Sequence, residues 1–263
     1  MCSYSLMENP TEEKMPLTSH LEELRNRLVR IFIAIGIGFA ACWFIKESLF
    51  QIITAPLVKV LPKDSFMIYT SLPEAFFNYM KIAFYASLLL TSPFSLYQVW
   101  KFVSPGLHST EKKYVAPFVI SSSVLFIGGV CFGYYLALPP AYGFFVEFSS
   151  DFLRPMFSLK EYLTFSLKLL LAFGLSFELP VFIFFLAKIG IVNSTMLAKQ
   201  RRYAILIIFI VAAILTPSPD AMTQIIMAVP LMILYEISIY IAKFAGKKRP
   251  EADDEKGAKE DIT

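Results

Sequence analysis

The chain has 263 residues, 56% of them hydrophobic and only 17% charged, with a formal net charge of +3. A soluble domain carries about 25% charged residues, so an ordinary soluble domain is excluded, and a charge balance this small gives no ground for a nucleic-acid partner. The apolar excess falls in runs bounded by Lys, Arg, Pro and Asp, the pattern of an all-α polytopic membrane protein.

The runs predict six spans, over 28–45, 75–97, 115–138, 162–187, 203–215 and 221–242, in one membrane domain over 1–246. The charged tail at 247–263 is expected to be disordered. A hydrocarbon core about 30 Å thick takes about 20 helical residues. The fifth run has only 13, so it is expected to thin the bilayer locally or to rest on protein. Sixteen Lys and Arg flank the spans on the side of the termini, against five on the other side. The positive-inside rule therefore places both termini in the cytoplasm.

Ahead of the first span, "TSHLEELRNRL" predicts a helix capped by Ser19 with Glu22, in which Glu23 pairs with Arg27 at i, i+4. The polar first 27 residues do not read as a cleavable signal peptide. Cys2, Cys42 and Cys131 are odd in number and imply no disulfide framework. After the first span, "LFQIITAPLVKVLP" predicts a short interfacial helix broken near Pro56 and Pro62.

Pro93, Pro117, Pro180 and Pro230 mark expected kinks. In the third span, Gly129 and Gly133 form a small-residue face, read as packing within the chain. Pro139, Pro140 and Pro155 then fall in an external loop expected to build a cap. In "AFGLSFELPVFIFF", Glu178 is an acid at membrane depth, where a charge costs at least about 2.5–3.5 kcal/mol. Pro180 should leave the Ser176 carbonyl without its helical donor. Glu178, that carbonyl and the Ser176 hydroxyl are thus expected to form an intramembrane polar patch with the acid neutral.

The fifth and sixth spans are joined by Thr216-Pro217-Ser218-Pro219-Asp220, a tight turn. Asp220 there reads as a dipole-matched acid at a helix start. Glu236 is expected to snorkel toward the surface near Lys243. No Walker A, H-E-x-x-H or G-x-S-x-G motif is present. His20 and His108 both lie outside the runs, so neither an enzyme nor a metal or cofactor site is expected.

"SHLEELRNRL", "TAPL", "LYQVWKFVSPGLHSTEKK", "SFELP" and "LTPSPDAMTQ" occur in the order and spacing of the TatC family, which the chain resembles over nearly its whole length. "TPSPD" departs from members with adjacent prolines. The resemblance implies a glove-shaped bundle of six transmembrane helices in the cell inner membrane, with the fifth and sixth short and both termini cytoplasmic. It implies the receptor subunit of the twin-arginine translocase, which works with TatA- and TatB-type single-span partners and other TatC copies. Folded cargo would be moved at the expense of the proton-motive force. By the same resemblance, Glu23, Arg25, Phe102 and Glu111 would bind the signal peptide. Pro56, Pro93 and Tyr134 would set shape, and Asp220 and Gln224 would lie near the partner-docking edge. The alternative reading is a small proton-coupled transporter or channel with Glu178 as proton carrier.

Overall fold

The computed structural model describes residues 17–60, 67–103, 115–147, 157–215 and 221–245. Among these the chain is almost wholly helical, because a backbone without water must satisfy its own hydrogen bonds. Helix α1 (Leu17–Phe44) is followed directly by α2 (Lys46–Val60), then α3 (Glu74–Val103). Helix α4 (Val115–Phe132) continues through a π-helical turn (Gly133–Ala137) into α5 (Leu138–Glu147). Then come α6 (Leu159–Ser176), α7 (Leu179–Lys188), α8 (Ser194–Lys199), α9 (Arg201–Leu215) and α10 (Ala221–Ala245).

Among the described residues, five segments are long and apolar enough to cross a membrane: His20–Phe44, Glu74–Val103, Ala116–Phe144, Leu159–Lys188 and Ala221–Phe244. The sixth crossing is α9, whose 15 residues reach only about 22 Å. It is short, as the run length predicts. The last helix, expected from the resemblance to be short with it, is not: α10 has 25 residues, more than the about 20 that a span takes.

Several local expectations change. Ser19 lies within the first turn of α1, which starts at Leu17, so it is not the cap. Pro56 sits buried inside a continuous α2 and does not break it. Pro117 falls in the first turn of α4, where N–H groups have no helical acceptor, so no kink follows. Pro139 and Pro140 lie in α5 rather than in a loop. Neither can donate to the carbonyl four residues back. The ladder shifts instead, with the Leu138 N–H donating to the Gly133 carbonyl in the π turn. Pro62 and Pro155 lie outside the described residues.

Packing relies on small residues, since lipid gives no hydrophobic drive between helices. A Cβ at Gly129 would stand 2.6 Å from the Phe173 carbonyl, and one at Gly133 3.1 Å from Leu170 and Phe173 side chains. The Gly129–Gly133 face therefore packs α4 on α6 within the chain. Gly38 plays the same part between α1 and α3, where a Cβ would meet Thr91 at 2.9 Å. Buried hydroxyls bond back to their own helices, as Ser166 does to the Tyr162 carbonyl and Ser238 to that of Leu234.

The two ends of the bundle differ. At one end the strands β1 (Met67–Ile68) and β2 (Phe157–Ser158) pair in parallel, Met67 opposite Phe157. Glu74 clamps this end. Its carboxylate accepts from the Thr70 N–H at 2.9 Å and from the Lys160 N–H at 3.2 Å, satisfying an otherwise unpaired donor at the start of α6. At the other end, the start of α1 meets the end of α3, and Trp100, Phe118 and Phe185 bring α3, α4 and α7 together.

Candidate functional site

The start of α1 and the end of α3 build a polar surface on one end of the bundle. Glu23 and Arg27 pair as their i, i+4 spacing predicts, with the Arg27 Nε donating to Glu23 Oε1 at 3.0 Å. The partner on the far side of Arg27 lies on another helix: its Nη1 donates to Gln98 Oε1 at 3.3 Å. Arg27 is thereby buried, at 8% exposure, while the Glu23 side chain keeps 27%. The buried guanidinium holds one carboxylate oxygen and leaves Oε2 facing His20, 3.9 Å away.

His20 in turn stacks on Phe102, ring centroids 4.3 Å apart and planes within 14°. Glu23 and Phe102 are thus brought to one surface through His20. Arg25 is exposed and contacts Glu22 at 3.8 Å, not Glu23. A shallow polar cleft of about 310 Å³ runs beside them, lined by Glu22, Glu23, Asn26, Arg27 and Arg30. Glu111 lies outside the described residues.

Deeper in the bundle, α6 stops at Ser176 and α7 starts at Leu179. The Glu178 N–H donates to the Leu175 carbonyl, an i−3 bond that tightens the turn. That turn aims the carboxyl across to α4, where the Ser122 hydroxyl meets it. The expected partner Ser176 makes no hydrogen bond to Glu178 among the described residues. Pro180 sits in the first turn of α7, where its missing N–H leaves nothing unmade. Ser122 also accepts from the Trp100 indole N–H at 2.9 Å. The polar cluster is therefore Trp100–Ser122–Glu178, and Glu178 Oε1 is buried in it without a hydrogen-bond partner among the described residues.

Two prolines have their missing donors replaced by side chains. Pro56 frees the Ile52 carbonyl, which accepts from the Tyr134 hydroxyl at 2.6 Å. Pro93 frees the Leu89 carbonyl, which accepts from the Ser92 hydroxyl at 2.8 Å. Gln224 bridges the last two spans, its Nε2 donating to the Phe209 carbonyl at 2.9 Å. Asp220 lies outside the described residues. Glu236 pairs with Arg201 across the α9–α10 hairpin at 2.9 Å, rather than snorkelling beside Lys243.

Gln98 and Glu74 were not singled out from sequence. Gln98 carried a weaker signal, a polar side chain one residue past the second apolar run.

The sequence model described as Sec-independent protein translocase protein (TatC) matches residues 19–230. The chain is 50% identical over 251 residues to the Sec-independent protein translocase protein TatC of Desulforapulum autotrophicum, covering 95% of this chain and 93% of that protein. It is 38% identical over 239 residues to the protein of that name from Escherichia coli (strain K12), covering 90% and 92%. It also resembles a crystal structure of the twin arginine translocase receptor TatC, with a TM-score of 0.79 and 38% identity, over 86% of this chain and 99% of that one.

Proposed function

The chain belongs to the TatC family of Sec-independent protein translocase proteins, and from that premise we propose that its polar end receives signal-peptide arginines through Glu23 and Glu111. As a TatC protein it is a multi-pass receptor subunit of the Tat translocase in the bacterial inner membrane, and it is not an enzyme. The carrier of the proposal is the fixed Glu23 carboxylate, partly exposed beside the Phe102–His20 stack. An arginine presents a planar fork that carboxylates accept. Oε1 is engaged by Arg27, so Oε2 is the acceptor offered to an incoming guanidinium, and the aromatic stack offers a flat surface beside it.

The basic bias places this end in the cytoplasm, where a signal arrives on folded cargo. TatA- and TatB-type partners and further TatC copies would complete the complex. The exposed face of α9 is the edge for a partner helix, and the proton-motive force drives transport. Membership of the family sets the small-transporter reading aside.

The test is site-specific crosslinking from Phe102 in membranes to signal peptides bearing two arginines or two lysines. The expected result is capture of the arginine form, weakened by Glu23→Gln and by Glu111→Gln. Equal capture of both peptides, unaffected by either substitution, would falsify the assignment.

A further inference from the structure

Lys81 and Lys168 lie inside the crossing segments of α3 and α6. Lys81 is seven residues in from Glu74 and Lys168 nine in from Leu159, about 10 and 14 Å along the helix axes. These two helix starts share one end of the bundle, since Glu74 binds the Lys160 N–H. The Lys81 ammonium donates to Thr164 Oγ1 at 3.5 Å. Thr164 and Lys168 are one turn apart and share a face of α6. Lys81 is half-buried and Lys168 is exposed. Neither has a carboxylate within ion-pair distance among the described residues, whose ion pairs all involve other side chains.

Next to the lysines an open groove of about 290 Å³ lies among α2, α3, α4 and α6, with an overwhelmingly apolar lining. Ile82 and Leu167, the chain neighbours of the two lysines, line it, and so do Tyr85 and Leu171 one turn further along. We propose that Lys81 and Lys168 bind the phosphate of an anionic phospholipid, with one of its acyl chains lying in this groove.

Charge and polarity both select that occupant. A cation inside the hydrocarbon needs a counter-charge or a route to the interface. Lysine stems can reach outward to the headgroup level, where the bilayer itself supplies phosphate. A zwitterionic lipid would leave the paired cations uncompensated, whereas an anionic one matches them. The groove is open and apolar, as an acyl chain requires.

The experiment is native mass spectrometry of the delipidated full chain with dioleoyl phosphatidylglycerol or dioleoyl phosphatidylcholine added at equal concentration. The native chain is expected to retain the anionic lipid at least tenfold better. K168Q, at an exposed position, and K81Q/K168Q should lose that preference. K81R/K168R should keep it, and A86F should lower retention by filling the groove. Equal retention of the two lipids by the native chain overturns the proposal. So does an undiminished preference in K168Q and K81Q/K168Q at native helix content. A cysteine at position 168 that crosslinks to a single-span partner, in a chain showing no lipid preference, would instead assign the lysines to a partner's carboxylate.

Discussion

The Tyr134 hydroxyl donates at 2.6 Å to the Ile52 carbonyl, the acceptor that Pro56 leaves without its helical donor. A proline in one helix is thus matched by a tyrosine on another, 82 residues beyond the carbonyl it serves and positioned by the π turn that Pro139 and Pro140 impose. Tyr162 reinforces the contact by donating to the next carbonyl, that of Ile53, at 2.6 Å. Helix α2 is therefore fastened to α4 and α6 through its own backbone, and its direction is set by two phenols.

This arrangement predicts a non-additive pair. Tyr134→Phe strands a carbonyl and should cost about 1–3 kcal/mol. Pro56→Ala restores the donor on α2 at the loss of a buried, shape-fitting ring. Once that substitution supplies the N–H, removing the Tyr134 hydroxyl should matter less, so the double variant should be less damaged than the two singles combined. Thermal unfolding of the four proteins in one detergent reads the cycle. Strict additivity would mean that the phenol does not stand in for the missing donor.

A second prediction concerns Gln98. Its carbonyl oxygen holds Arg27 from the opposite side to Glu23, so Gln98→Leu should release the guanidinium and let it compete for both Glu23 oxygens. Binding of a twin-arginine signal should then weaken, by less than the roughly 1.5–3 kcal/mol expected for removing the charged acceptor with Glu23→Ala. Titration of the signal peptide onto each variant measures the order. A larger loss for Gln98→Leu than for Glu23→Ala would contradict the positioning role.

What was legible in the sequence follows from local spacing. The Glu23–Arg27 pair and the Gly129–Gly133 face are both short-range patterns, and both appear in the structure. Contacts between distant segments were not legible. The Pro56 position reads as a break because the tyrosine that repairs it is on another helix. The Arg201 partner of Glu236 sits 35 residues away, while the nearer Lys243 misled. Glu178 was found by its depth, but its neighbour was not, since sequence spacing cannot show that Ser122, on another helix, meets the carboxyl.

A third prediction follows from the short helix α9. Ile207, Ile210 and Ile214 are 58%, 50% and 74% exposed, whereas Ala212 is fully buried. Ile207 therefore faces outward and Ala212 inward. Cysteines at Ile207, Ile210 and Ile214 should crosslink to a single-span partner helix in membranes, and one at Ala212 should not. Crosslinking from Ala212 equal to that from Ile214 would require a different packing of α9, and silence at all three isoleucines would move the docking edge elsewhere.

The final prediction separates two roles for Glu178. Its carboxyl meets Ser122, whose oxygen is also held by the Trp100 indole, and its Oε1 is buried without a partner among the described residues. An ionised carboxylate in that position would be costly inside hydrocarbon, whereas a neutral acid needs only modest compensation. An incoming helix that opens this cluster would meet Oε1 as an unused acceptor. Glu178→Gln retains a donor and an acceptor and should keep most transport, while Glu178→Ala should impair partner assembly and leave signal binding near normal. Trp100→Phe removes the donor that positions Ser122 and should weaken assembly in the same direction, to a smaller degree. Were Glu178 instead a titrating proton carrier, Gln would be as damaging as Ala, because an amide carries no exchangeable charge. Transport and partner co-purification of the three variants at matched protein levels decide it: an inactive Gln variant with intact assembly assigns Glu178 to proton transfer, and an active one assigns it to binding.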